Sequence, residues 1–255
     1  MQPPRPLPHR RWIGALAGLA LALPLLGAPP ARAAEASPAQ LQALEAALNG
    51  EANLEGLLES GPGLDPQLVD LQRRALLASF PDARWRLSPG STLRDGRKTV
   101  QLQVSGSRQE GPTRYRLQAT QQLLLSSNGQ RINGQTVLRE QALLRSGEAE
   151  LPVILQIPDA VLTGQRYDVD VLVDEPLNGA LLAGGITAIT GQQRISLTSP
   201  GIELGALGGG GLFKTVQAPF NPGEQTWAVL LVHPQGVVSA TKRVRVVTDK
   251  AQLQL

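Results

Sequence analysis

The sequence predicts an α+β domain, with helices laid on a curved antiparallel sheet, followed by an all-β sandwich, and three observations predict it. Apolar residues recur with a helical period as far as Phe80, alternate with a period of two from Trp85 onward, and after Gly147 fall into short runs separated by Gly and Pro. Helices followed by long alternating strands imply a helical layer over a sheet. Short strands at regular spacing imply two sheets packed face to face.

The helical part divides into three. Ser37-Pro38-Ala39-Gln40 joins a Ser N-cap, a Pro at the first helical position and a Gln that reaches back, and Leu41, Leu44 and Leu48 then share one face. A second, short helix is expected over Leu54, Leu57 and Leu58, stopped by Gly61-Pro62-Gly63. Asp65-Pro66 repeats the cap and opens a third, with Leu68, Leu71, Ala75 and Ala78 as its inner stripe and Phe80-Pro81 as its end.

Residues 99–104 alternate cleanly, and residues 113–126 continue with Tyr115, Leu117, Ala119, Leu123 and Leu125 against Arg114, Arg116, Gln118 and Gln122. Asn128-Gly129 marks a hairpin into a third long strand that ends near Arg145. This order, through "FPDARWRL" (80–87) and "GQRINGQTVLREQALL" (129–144), resembles the NTF2-like (SnoaL-type) superfamily of cone-shaped domains. Cystatin-like domains share the order. The resemblance implies a cone over residues 37–146 that opens near Trp85.

In the second half, "LPVILQI" (151–157), "YDVDVLV" (167–173), "QRISL" (193–197), "TWAVLLVH" (226–233) and "ATKRVRVV" (240–247) are expected strands set between turn signals. Trp227 shares a face with Val229 and Leu231 and belongs to that core. The runs "IPDAVLTGQRYDVDVLVDEPL" and "NPGEQTWAVLLVHPQGVVSATKRVRVV" resemble an immunoglobulin-like domain of bacterial exported proteins, without its cysteine pair. That domain is expected over residues 147–248, before a tail of 249–255.

The amino terminus reads as a secretory signal over residues 1–33. Arg5, His9, Arg10 and Arg11 precede an apolar run from Trp12 to Ala28 that Pro24 breaks. Such a run is shorter than the roughly 20 residues that span a bilayer, and Ala31-x-Ala33 supplies a small-x-small cleavage site. Export to the periplasm or beyond is expected, with no membrane anchor after cleavage, since the chain has no cysteine to lipidate. The discarded segment holds four of the 24 basic residues and none of the 21 acidic ones, so residues 34–255 are nearly neutral and no nucleic-acid partner is expected.

Without cysteine there is no thiolate chemistry, and outside the signal only His233, beside a turn Pro, could serve a histidine-dependent site. Gly208 to Gly211 with Lys214-Thr215 departs from phosphate-loop spacing. Asp168, Asp170 and Asp174 fall on the outward side of one strand and are too few for calcium. No metal and no cofactor is expected. Arg84, Arg86, Arg94, Arg97, Lys98, Arg114 and Arg116 form either a local anion or partner surface or a plain solvated face. Counting by twos places Glu140 inward with Ile132, Leu138, Ala142 and Leu144, and Gln121 inward with Tyr115, so Glu140, Gln121, Tyr115 and Trp85 are the candidate pocket. A bulge before Glu140 would instead send it to solvent. The expected function is a non-catalytic binding or adaptor protein of the cell envelope, whose partner is a protein or a small apolar ligand. The alternative is an enzyme of the isomerase or cyclase kind built on one buried carboxylate, as the NTF2-like resemblance implies.

Overall fold

The computed structural model describes residues 34–147, 151–173, 182–207 and 210–254. The expected signal segment, its cleavage site at Ala31 and Ala33, and Asp174 therefore lie outside the described residues.

Two helices form where the caps lie. In α1 (Pro38–Leu48) the Ser37 hydroxyl accepts from the Gln40 amide at 3.2 Å while the Gln40 side chain accepts from the Ser37 amide at 2.9 Å. In α2 (Pro66–Ser79) the Asp65 carboxylate accepts from the Gln67 amide at 3.0 Å. The helix expected between them does not form. Residues 54–58 turn instead, and Leu58 bridges to Ile132 in parallel, its neighbours exchanging backbone hydrogen bonds with that residue.

The rest is strand: β1 (Ala34–Glu35), β2 (Arg84–Thr92), β3 (Lys98–Glu110), β4 (Thr113–Ser127), β5 (Ile132–Ser146), β6 (Val153–Gln156), β7 (Ala160–Leu162), β8 (Arg166–Val173), β9 (Leu182–Ile189), β10 (Gly205–Leu207), β11 (Gly211–Gln217), β12 (Gly223–His233) and β13 (Gly236–Val247). A one-turn helix, α3 (Gly191–Ile195), takes the place of the strand expected over 193–197, because Thr190 and Gln193 form a capping box at its start, and a 3-10 helix (Lys250–Gln254) lies in the expected tail.

One sheet runs through both halves in the order β10-β9-β12-β13-β5-β4-β3-β2, antiparallel along this path, with β1 added antiparallel on β4 and β7 parallel on β13. Its join is the pairing of β5 with β13, from Arg145 opposite Val238 to Gln141 opposite Lys242. A second sheet, β11-β8-β6, packs over β12 and β13 around Val169, Val171, Val229, Leu231, Ala240 and Val244. The expected α+β arrangement, a helix-covered NTF2/cystatin-like cone followed by a separate immunoglobulin-like sandwich, is thereby corrected: the chain is mainly antiparallel β, and its short helices cover only part of one shared sheet. The period-two signal was the stronger one, and it extends from residue 84 almost to the end.

Leu44, Leu48, Leu76 and Phe80 of the helical segment bury against Trp85, Leu102, Leu117 and Leu123 of the sheet. Each buried leucine contributes about 1.5–3 kcal/mol. Gly147, the expected boundary, is held tightly. Its φ is +93°, and a Cβ there would stand 2.1 Å from the Gln235 carbonyl oxygen, so only glycine fits where the end of β5 meets the β12–β13 hairpin.

The edge strand β2 has its free backbone covered by α1. The Asn49 side-chain oxygen accepts from the Trp85 amide at 3.0 Å, and its nitrogen donates to the Trp85 carbonyl at 2.8 Å. Glu45 accepts from the Leu87 amide at 2.5 Å, and Pro89 has no amide to offer. An exposed edge otherwise recruits other strands. Asn49→Ala leaves both polar groups of the Trp85 peptide without these partners and should lower stability by about 1–3 kcal/mol in urea titration; an unchanged midpoint would mean that water substitutes for the amide.

Candidate functional site

Gln121 and Glu140 lie directly opposite each other on β4 and β5, each almost fully buried. Opposed residues of an antiparallel pair project to the same face, and here it is the face of Leu117, Ala119 and Leu123, against which the helices pack. The bulge that would expel Glu140 is present, yet it does not expel it. Gln122 pairs with Arg139 and Leu123 with Val137, so Leu138 is the extra residue. The parity change therefore falls on residues before the bulge, and Glu140 keeps the face of Ala142 and Leu144.

Glu140 meets a guanidinium there. Arg243 of β13 places Nη1 3.4 Å from its carboxylate, with both side chains at most 7 % exposed. Arg243 also pairs with Glu224 of β12, and Glu224 with Arg194 of α3. Arg245, two residues along β13, donates from Nε to the Leu138 carbonyl at the bulge, at 3.1 Å. A row of alternating charge thus crosses the sheet where its two halves join.

Burial governs the titration of the row. Desolvation pushes the Glu140 carboxyl above its ordinary value, against the opposing pull of Arg243, then Arg194, then the Gln121 side chain. Desolvation likewise lowers Arg243 to about 10, which leaves it charged at neutral pH.

Trp85 and Gln121 line one apolar cavity of about 60 Å³ between the helices and the sheet, together with Leu48, Leu76 and Leu123. Tyr115 is not with them. It lies six residues from Gln121 along β4, about 20 Å away, with Arg108 stacked 5.3 Å from its ring centre. The structure therefore brings Glu140 and Gln121 together, puts Trp85 on the cavity that Gln121 reaches, and removes Tyr115 from the group.

Arg194, Glu224 and Arg243 escaped the sequence reading. Thr241, Arg243 and Arg245 alternate with Val244 and Val246, which reads as a solvated face behind the sandwich core. They are buried because Arg194 of α3 and Ile202 pack over that side of β12, and the turn of residues 250–254 covers Arg245, whose Nη2 donates to the Gln252 carbonyl at 3.0 Å. The remaining candidates separate. Arg97 pairs with Asp95 in the β2–β3 turn, Asp168 accepts from Thr215, and His233 Nδ1 accepts from the Gln235 amide at 3.2 Å. Lys214 and Thr215 are part of β11, and Gly208 lies outside the described residues. Trp227 is a core residue, its indole donating to the Tyr167 hydroxyl at 3.0 Å.

Residues 148–247 match a family model described as a domain of unknown function (DUF8623). The match covers less than half of the 255-residue chain; it contains Arg194, Glu224 and Arg243 and leaves Gln121 and Glu140 outside. No curated protein matches the chain.

Removing one member of a buried pair costs more than the pair contributes, because a charge is left alone. Arg243→Met should lower stability by about 3–5 kcal/mol at pH 7. Glu140 binds its proton more tightly folded than unfolded, so its contribution is fully present below the unfolded value near 4.3 and is lost as pH rises through the raised folded one. Glu140→Gln should flatten that decline and Arg243→Met should steepen it. Parallel curves of stability against pH for all three proteins would show that Glu140 is not desolvated.

Proposed function

We propose that the chain is an exported, non-catalytic binding or adaptor protein of the cell envelope, acting through an exposed surface. The observation that carries this reading is the state of its one candidate catalytic carboxylate. Glu140 is buried and engaged by Arg243, and a general base must instead lie within hydrogen-bond reach of a substrate proton. The nearby cavity of about 60 Å³ is small against the roughly 300–1,000 Å³ of ordinary small-molecule sites. Both points weigh against the isomerase or cyclase alternative and against an apolar ligand held inside. Export is supported by the basic, apolar and small-x-small sequence of residues 1–33.

Fractionation of the native host tests the reading. The protein should be recovered with the envelope fraction, begin at Ala34 and be released by salt. Recovery of a form beginning at Met1 in the cytosol, or turnover of a small-molecule substrate that Glu140→Gln abolishes, would overturn it.

A further inference from the structure

We infer that the open face of β2–β5 binds an acidic polysaccharide; this deepens the envelope-binding reading and rests on it. The registers define the face. Arg84 and Arg86 of β2, Arg114 and Arg116 of β4, and Arg139 and Arg145 of β5 all project away from the helices. One cross-strand row runs Arg86, Gln103, Thr120, Gln141, Lys242 over five strands, and a second runs Ser88, Gln101, Gln122, Arg139. With strands about 4.8 Å apart, the longer row spans about 19 Å.

No carboxylate projects from these four strands on this side. Glu140 belongs to the opposite face, and Glu110 ends β3. Asp82, Asp159 and Glu35 stand at three borders, the first accepting from Ser107, the second pairing with Arg139 and Lys242, and the third, on β1 opposite Ser126, accepting from the Lys98 amide at 2.9 Å. Residues 34–255 as a whole are almost neutral, so the cationic character of the face reflects segregation of charge and not a basic composition. Around the Asp159 pairs with Arg139 and Lys242, the face deepens into a recess of about 270 Å³ lined also by Gln101, Thr120, Gln122 and Gln141, with the buried Glu140 at its edge.

The side-chain types select among anionic partners. Glutamine amides and threonine hydroxyls both donate and accept, as sugar hydroxyls require, and guanidinium groups take carboxylates in paired hydrogen bonds. These strands carry no aromatic side chain on this side on which bases could stack. The large exposed apolar side chains, Phe213 and Ile154 among them, lie elsewhere, so the face lacks what inserts into a lipid surface. A polymer with both hydroxyls and carboxylates fits what remains.

Binding of the processed protein to polygalacturonate, measured by calorimetry beside dextran, duplex DNA and phosphatidylglycerol vesicles, tests the inference. Polygalacturonate should bind in a salt-dependent manner and dextran should not. Thr120→Glu sets a carboxylate in the middle of the longer row and should weaken binding at least tenfold, whereas Thr120→Gln, with the same length and no charge, should retain it. Arg86→Gln, at the exposed end of the row, should weaken binding several-fold without moving the melting temperature. Binding to DNA or vesicles as tight as to polygalacturonate, or wild-type affinity in Thr120→Glu, would overturn the assignment. Failure to bind polygalacturonate while the protein remains in the envelope fraction would overturn the polysaccharide alone. Failure of both would overturn the envelope-binding reading as well.

Discussion

The ladder between β5 and β13 is the constraint on which the rest of the structure depends. Through it strands more than ninety residues apart in sequence become neighbours, and one sheet serves both halves of the chain. Arg243 lies one position beyond the last paired residue of that ladder and is buried between Glu140 on one side and Glu224 on the other. A slip of one residue would turn Arg243 and Arg245 into the sandwich core and Val244 and Val246 out of it. Buried ions contribute little net stability, but they make such a slip costly, because every guanidinium would then lose its carboxylate or carbonyl.

The same join divides the surface by chemistry. On one side of the shared sheet the helices, the charge row and the residues around α3 leave little exposed. The other side is covered by the second sheet over β9, β12 and β13, with Leu143 of β5 at the margin of that core, so β2 to β4 and the rest of β5 present a polar face. A buried carboxylate and an exposed arginine face are therefore two consequences of a single register. The first is committed to structure, and the second is the surface to which we assign a partner.

Much of this was legible locally and little of it globally. The Ser37 and Asp65 caps, the alternation along β3 and β4, and the turn at Asn128-Gly129 depend on neighbouring residues and could be read directly. The turn at 54–58 could not, because Ile132, far along the chain, supplies the hydrogen bonds that replace a helix. Glu140 was legible as an inward residue but not as an ion-paired one, since its partner comes from β13. Tyr115 satisfied the inward count and still lies too far along its strand from Gln121, because parity fixes a face and not a distance. The arginines at 84, 86, 114 and 116 could be recognised as outward; that Arg139 and Arg145 join them follows only from pairing.

Native-state hydrogen exchange at the seam tests the central claim, that the two halves are held as one sheet through β5 and β13. Paired amides among residues 141–145 and 238–242 should exchange only through the opening that also releases the amides of β4 and β12, with the same free energy and the same denaturant dependence. Seam amides that exchange through a smaller opening, while β4 and β12 both remain protected, would contradict the account and describe two independent halves that merely touch.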